Sequence, residues 1–133
     1  MGFLNWLLGG RRESTPHTDL RPSGDFDFDV VGESNYQAEL SAICGGHCEE
    51  GVEHECTALL VPEPTNPHDA NAVKVVIEGR TIGYLSRQHA ILYRRRIGGA
   101  GRCGALVVGG WDRGNGDRGH FGVKLDLAWP PGS

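Results

Sequence analysis

At 133 residues with 21 glycines, the chain can form one domain with its own core but not two full-sized ones, and valine-rich runs between glycines favour many short strands over a helical bundle. The formal net charge of −4 argues against a uniformly basic nucleic-acid-binding protein. However, residues 1–70 carry 13 acidic and 3 basic side chains (−10), whereas residues 71–133 carry 10 basic and 4 acidic ones (+6), which permits a basic face for an anionic ligand.

The first 25 residues do not show the pattern of a folded domain. The start, MGFLNWLLGGRR, lacks the basic region and cleavage site of a secretory signal, and its apolar run is too short to cross a bilayer. We therefore expect a cytoplasmic protein with reduced thiols. Residues 3–8 are either a short amphipathic anchor for a partner or membrane, or a frayed terminus. Residues 11–25 are polar and typical of a linker.

Folded structure is predicted to begin at Phe26. Residues 26–30 alternate apolar side chains with aspartates, which is the period of a half-buried strand. Residues 34–44 then change to helical spacing, with an apolar face made by Tyr36, Leu40 and Ile43. Ser34 followed by Gln37 has the pattern of a capping box, and Gly45–Gly46 supplies the stop.

The second half of the chain is dominated by strand patterns. Alternating or valine-rich runs predict strands in residues 53–63, 72–78, 81–85, 103–111 and 121–127. Gly79–Arg80 suggests a tight hairpin, and Ser86 is placed to cap a helix that runs to about Arg96. Six short strands and two helices over residues 26–129 indicate a small, mainly β barrel or sandwich.

The sequence carries few motifs for catalysis or metal binding. The chain has no G-x-S-x-G, P-loop or H-E-x-x-H motif, so we expect no enzymatic activity. Five possible zinc ligands occur between residues 44 and 56, namely Cys44, His47, Cys48, His54 and Cys56. Their spacing matches the usual paired ligands of zinc poorly. We therefore expect free cysteines and no cofactor, with zinc at Cys44, Cys48, His54 and Cys56 as the alternative.

The stretch EPTNPHDANAV, residues 63–73, is the most distinctive loop. Asn66 precedes a proline and is restricted to extended geometry, and Asp69 and Asn71 can form Asx turns that stiffen the loop. One interpretation is a well-made turn that starts a strand. The other is a binding corner in which His68 and Asp69 face outward and bond to a sugar hydroxyl or a base edge.

Further along the chain, two residues have chemistry that suits a nucleotide. Tyr84 supplies an aromatic face and Arg87 a cation at the start of the second predicted helix. The triple arginine Arg94–Arg96 has two interpretations. Cations in the last turn of a helix complement its dipole, and phosphate contact is the less favoured alternative.

Three segments of the chain resemble the HIRAN domain family. They are VVGESNYQ, the 60–90 stretch LVPEPTNPHDANAVKVVIEGRTIGYLSRQHA, and GGW with the later FGVKLDL. The similarity covers roughly residues 28–128. HIRAN domains occur at the N-terminus of Rad5-like and HLTF-like SWI/SNF helicases and as free-standing or accessory domains in bacteria. The resemblance implies an OB-like β-barrel with two short helices.

The resemblance also implies a binding site for single-stranded DNA, and in particular for a free 3′ end. Carried over by motif position, Asp69 would accept the terminal hydroxyl and His68 would stand where an aromatic residue usually helps. Tyr36 and Tyr84 would pack against the last nucleotide, and Arg87 would meet a phosphate. Asn66 completes the predicted set.

This chain departs from the end-binding members at one segment. After VVG those members have an arginine followed by aromatics, where this chain has Ser34, Asn35 and Tyr36. One phosphate contact and one stacking ring are therefore missing. Two functions stay open: a module for single-stranded DNA and its 3′ end with a role in DNA repair, and a non-enzymatic interaction or scaffold domain docked through residues 3–8.

Overall fold

The computed structural model describes residues 16–133, and the predicted anchor at residues 3–8 lies outside them. The strands are β1 Thr18–Asp19, β2 Phe28–Asp29, β3 Val52–Pro62, β4 Val73–Ile77, β5 Arg80–Tyr84, β6 Gly101–Gly109 and β7 Phe121–Asp126. The helices are α1 Gln37–Cys44 and α2 Arg87–Arg96, and a 3-10 turn spans Glu33–Asn35. No helix in this part of the chain is long and apolar enough to span a membrane.

The strands form one curled sheet in the order β2-β7-β6-β3-β4-β5, with β1 paired to β6. The segment after β2 brings the two ends of this sheet together. Val31 exchanges backbone hydrogen bonds with Tyr84 of β5, with both N···O distances at 2.9 Å. The predicted small OB-like β-barrel with two helices is thus confirmed, although the described residues form seven strands and not the predicted six.

The core is built from the alternate residues that the strand patterns assign to one face. In β4 the side chains of Val73, Val75 and Ile77 are fully buried, whereas Lys74 and Val76 are only half-buried. β7 shows the same alternation. Burial of apolar side chains stabilises the fold at about 25 cal/mol per Å², so the two-residue period fixes which face of each strand points inward.

The described fold begins before the predicted start at Phe26. Thr18 and Asp19 pair in parallel with Gly101 and Arg102 of β6, and Leu20 is buried. A segment predicted to be linker therefore contributes a short strand and a core side chain. Two residues are too few to show a periodic pattern, which is why the sequence did not indicate this strand.

The caps of the two helices differ in how well the sequence predicted them. Ser86 caps α2 as predicted, and its Oγ accepts from the His89 amide at 3.2 Å. The predicted capping box at Ser34 is wrong, since α1 begins at Gln37 without any side-chain cap. The side-chain amide of Gln37 instead donates to the backbone carbonyl of Phe121 in β7 and accepts from the Phe121 backbone N–H.

The hairpin between β4 and β5 is confirmed with a shift of one residue. Glu78 and Gly79 form the turn, both with positive φ (52° and 75°), and Arg80 is the first residue of β5. Two consecutive positive φ values match the twist of the flanking strands.

Candidate nucleic-acid interface

The loop between β3 and β4 is held by the side chain of Asn66. Its Oδ1 accepts from the backbone amides of His68 at 2.8 Å and Asp69 at 3.2 Å. Asp69 forms the predicted Asx turn, with Oδ1 accepting from the Asn71 amide at 2.9 Å. The second predicted turn, through the Asn71 side chain, does not form; Asn71 contributes its backbone amide instead. These bonds fix the peptide units on both sides of Asp69.

One carboxylate oxygen of Asp69 remains open. The Asn71 amide occupies Oδ1, while Oδ2 has no hydrogen bond to any residue of the described chain. The Oδ1 bond orients the half-buried carboxylate, and Oδ2 is not among the buried unbonded side-chain atoms of the described residues, so it keeps access to solvent. An ionised carboxylate oxygen in this position can accept a hydrogen bond from a ligand hydroxyl.

Glu63, the residue directly after β3, connects this loop to the aromatic part of the site. Its Oε1 accepts from Asn66 Nδ2 at 3.0 Å and from the Tyr84 hydroxyl at 2.8 Å. Its Oε2 lies 3.6 Å from Lys74 Nζ. The Asn66 bond is the largest cause that lowers the pKa of Glu63, and the Tyr84 bond and the Lys74 charge also lower it. Glu63 is therefore a charged acceptor that orients two predicted site residues.

Tyr84 and Tyr36 form an aromatic pair beside Glu63. Their ring centroids are 6.5 Å apart and the planes are inclined by 44°. Burial raises the pKa of Tyr84, and its hydrogen bond to Glu63 raises it further, so the hydroxyl stays protonated and donates. Val31, which is 42% exposed and bridges to Tyr84, adds apolar surface next to the pair. The result is a half-exposed aromatic surface on which a base can stack.

Close packing of the backbone holds this aromatic surface in place. Gly83 lies against the segment that closes the barrel, and a Cβ there would be 2.4 Å from Val30 Cγ1 and 2.9 Å from the Val31 carbonyl oxygen. A register irregularity between Val75 and Val76 leaves Tyr84 opposite Lys74. The side chain of Tyr84 consequently reaches the carboxylate to which Lys74 also binds.

Four of the predicted site residues contact each other directly or through Glu63, namely Tyr36, Asn66, Asp69 and Tyr84. Arg87 is exposed at the first position of α2, and its side chain has no ion pair or hydrogen bond with any residue from 16 to 133. The His68 side chain is likewise exposed, and only its backbone amide is bonded within the described chain. Both side chains are free to meet a ligand, but no contact ties either of them to the aromatic pair.

The triple arginine at the end of α2 is largely used within the fold. Arg94 donates to the Ala70 carbonyl at 3.1 Å, and Arg96 donates to the Pro131 carbonyl at 2.9 Å. Arg94 thereby ties α2 to the loop that carries Asp69. Arg95 is exposed and has no bond to another described residue. These contacts favour the structural interpretation for two of the three arginines.

The cysteines do not assemble a metal site in the described part of the chain. No group of three or more His, Cys, Asp or Glu side chains within residues 16–133 is placed to hold a metal ion, and all four cysteines are free. Burial raises the pKa of Cys44, and it raises the pKa of Cys56 to about 11. Both residues are therefore protonated thiols at neutral pH and pack against the core. The zinc alternative has no support in this arrangement.

Comparison with models of known protein families shows to which family the chain belongs. The model of the HIRAN domain family matches residues 23–97, which is more than half of the chain. The chain belongs to the HIRAN domain family. The matched range holds Glu63 and every predicted site residue. β6, β7 and the GGW and FGVKLDL motifs lie beyond it. No curated protein and no solved structure matched the chain in the corresponding searches.

HIRAN domains are a family of nucleic-acid-binding modules, so the cluster of residues around Asp69 and Tyr84 is a candidate nucleic-acid site. Within it, Glu63 is the residue that sequence reasoning missed. Its only local signal was an acidic residue ahead of the proline-rich corner. Its role depends on Tyr84, which lies 21 positions further along the chain.

Removing the carboxylate of Glu63 is expected to destabilise the HIRAN domain in a pH-dependent way. Because the folded-state pKa is lowered, the stabilisation is present above the ordinary value of 4.5 and disappears as the pH falls through the folded pKa. Glu63→Ala should therefore lower the free energy of unfolding by about 1–2 kcal/mol at neutral pH, and by less near pH 3. Urea unfolding at both pH values measures this.

Glu53→Ala is the matched control, since the Glu53 side chain is exposed and has no hydrogen bond or ion pair with the described residues. A Glu63→Ala effect that is the same at both pH values would show that the charge of this carboxylate is not involved.

Proposed function

We propose that this HIRAN domain is a non-enzymatic module that binds single-stranded DNA and receives the 3′-hydroxyl end of the strand. The observation that carries the proposal is the Asp69 carboxylate. Its Oδ1 is committed to the Asx turn, its Oδ2 is open, and Asn66 fixes the peptide before it. A carboxylate held in this way favours a hydroxyl donor and disfavours a terminal phosphate, because two anions repel.

The tyrosine pair supports the choice of a single strand. Bases of a duplex are stacked on each other and cannot reach a side-chain ring, whereas the last base of a single strand can. Tyr36 and Tyr84 offer aromatic surface, and Glu63 keeps Tyr84 in one orientation. Stacking is tolerant of base identity, so we expect weak sequence preference.

The exposed cations support phosphate contact on the neighbouring side. Arg87 lies at the N-terminus of α2, where free backbone amides also favour anions. Since Ser34 and Asn35 replace the arginine and the aromatic of the end-binding relatives, we expect lower affinity than in those proteins. The loss of one stacked ring alone corresponds to about 1–3 kcal/mol.

A titration of DNA ends tests this proposal. Fluorescence anisotropy is measured at low salt with short 5′-labelled strands that end in a 3′-hydroxyl or a 3′-phosphate. We expect the hydroxyl end to bind at least ~10-fold more tightly in the wild type, which corresponds to one charge-assisted hydrogen bond. Asp69→Asn keeps an oxygen for the turn and should reduce this preference to within ~2-fold.

Asp25→Asn is the matched control, because Asp25 is exposed and its side chain has no bond in the described chain. It should leave the preference unchanged. Equal binding of both ends by the wild type would mean that only backbone electrostatics is at work. If neither strand binds below roughly 100 μM, the DNA proposal is wrong and the interaction or scaffold function is favoured.

A further inference from the structure

One edge of the sheet is open in the described chain. β3 pairs with β6 from Val52 to Leu60, but it pairs with β4 only from Leu59 to Pro62. Residues 52–58, here called the open edge, therefore have no second strand beside them within residues 16–133. Alternate residues of such a strand direct their N–H and C=O groups outward, and these groups can pair with an added strand.

The open edge is strongly acidic. Glu53 and Glu55 lie in the open edge, and Glu49 and Glu50 directly precede it. All four side chains are exposed, and none of them has an ion pair or hydrogen bond with another described residue. Other carboxylates of the chain, such as Asp19 and Asp29, have basic partners. The four unpaired charges make this edge attractive to a cationic segment and repulsive to nucleic acid.

A groove begins where the open edge begins. It has a volume of about 550 Å³ and is lined by Glu50 and Glu53, by Val52 and Val108, and by the half-buried ring of Trp111. Carboxylates beside aliphatic surface suit a lysine or arginine side chain, which has an apolar stem and a charged end. The ring of Trp111 itself already carries the Arg113 guanidinium, 5.2 Å from its centroid, so it contributes apolar wall and not a free cation site. The groove and the backbone edge thus favour the same kind of partner.

A second copy of the chain is a poor occupant of this edge. Antiparallel pairing of two open edges about Glu55 would place the two glutamates directly opposite each other, and like charges in that position are destabilising. Glutamates on an open edge therefore discourage self-association, as charged edge residues commonly do.

We propose that the open edge of β3 binds an extended, lysine- or arginine-rich segment of a partner protein by strand addition. The partner's backbone pairs with residues 52–58, and one of its cationic side chains enters the groove beside Trp111. Neither the edge nor the groove shares a residue with the proposed nucleic-acid site. The inference is consequently independent of DNA binding.

The test uses synthetic eight-residue peptides and the full chain. The probe alternates lysine and valine, and a control peptide has glutamate in place of lysine. Two further probes are N-methylated at one or the other set of alternate residues, which blocks the backbone donors of one edge of the peptide. Binding is measured by calorimetry, and hydrogen exchange of the amides in residues 52–58 is followed in parallel.

We expect the lysine peptide to bind and to slow exchange in residues 52–58, while the glutamate peptide does not bind. One of the two methylated peptides should bind the wild-type protein at least ~10-fold more weakly than the unmethylated lysine peptide does. The unmethylated lysine peptide should also lose at least ~10-fold in affinity for the Glu53→Lys or Glu55→Lys protein. Asp25→Lys makes the same charge change away from the edge and should alter affinity by less than ~2-fold.

Three results would overturn the proposal. If both methylated peptides bind like the parent, backbone pairing does not occur. Equal effects of Asp25→Lys and Glu55→Lys would reduce the contact to net charge. Concentration-dependent dimerisation of the free protein with protection of residues 52–58 would assign the edge to a second copy of the chain.

Discussion

Tyr84→Ala is expected to lower the affinity for single-stranded DNA by ~10–100-fold, because stacking on an aromatic side chain contributes about 1–3 kcal/mol per base. Tyr84 is the better anchored ring of the aromatic pair, since its hydroxyl donates to Glu63 and its backbone bridges to Val31. Anisotropy with a strand ending in a 3′-hydroxyl measures the effect, and circular dichroism verifies that the variant is folded.

Tyr84→Phe separates the ring from its hydroxyl. It keeps the stacking surface and removes the charge-assisted hydrogen bond to Glu63. We expect a loss of only ~2–10-fold, because this bond orients the ring while the stacking itself is retained. If Tyr84→Ala binds as tightly as the wild type while it remains folded, the aromatic pair is not the site where the base lies.

Gly83→Ala is expected to have the largest effect on stability, about 2–4 kcal/mol, because the added methyl group meets backbone as well as side chain. The methyl would lie 2.4 Å from Val30 Cγ1 and 2.9 Å from the Val31 carbonyl oxygen. The closing segment must move away, which weakens the bridge between Val31 and Tyr84. Thermal and urea unfolding measure the loss.

Gly99→Ala provides the matched control. A Cβ at Gly99 has no atom within 4 Å, and no positive φ opposes the substitution. We expect a change within about 0.5 kcal/mol. An equally small change for Gly83→Ala would mean that the segment 28–31 does not close the barrel as described.

The strands were predictable because their signal is local. In β4 a two-residue period places Val73, Val75 and Ile77 on one face, and all three side chains are fully buried. The Ser86 cap was predictable for the same reason, since the capping oxygen and the amide that it accepts lie three residues apart. Patterns of this kind need no knowledge of the tertiary structure.

The failed capping box and the missed role of Glu63 both involve partners that are distant in sequence. Gln37 had the spacing of a capping-box residue. Its side-chain amide instead forms two hydrogen bonds with the backbone of Phe121, which lies 84 positions away. Glu63 acquires its role only after the irregularity in the β4–β5 pairing has placed Tyr84 opposite Lys74. The register of two strands at an irregularity is set by packing, and a single sequence does not specify it.

The site prediction was therefore uneven for physical reasons. The corner around Asp69 is made by residues within a few positions of each other, and its stiffness followed from proline and Asx chemistry. The link from this corner to the aromatic pair runs through Glu63 and was not visible in the sequence. His68 and Arg87 keep their predicted roles as predictions, since no contact in the described residues fixes either side chain.

The central claim is that Asp69 accepts the 3′-hydroxyl of a DNA strand, and a double-mutant cycle tests it most directly. Wild type and Asp69→Asn are each titrated with a strand ending in a 3′-hydroxyl and with its 3′-deoxy counterpart, which removes the hydroxyl without adding charge. We predict that the 3′-deoxy end weakens wild-type binding by ~10-fold and the variant by less than ~2-fold, a coupling of about 1 kcal/mol. Equal losses for both proteins would contradict the account.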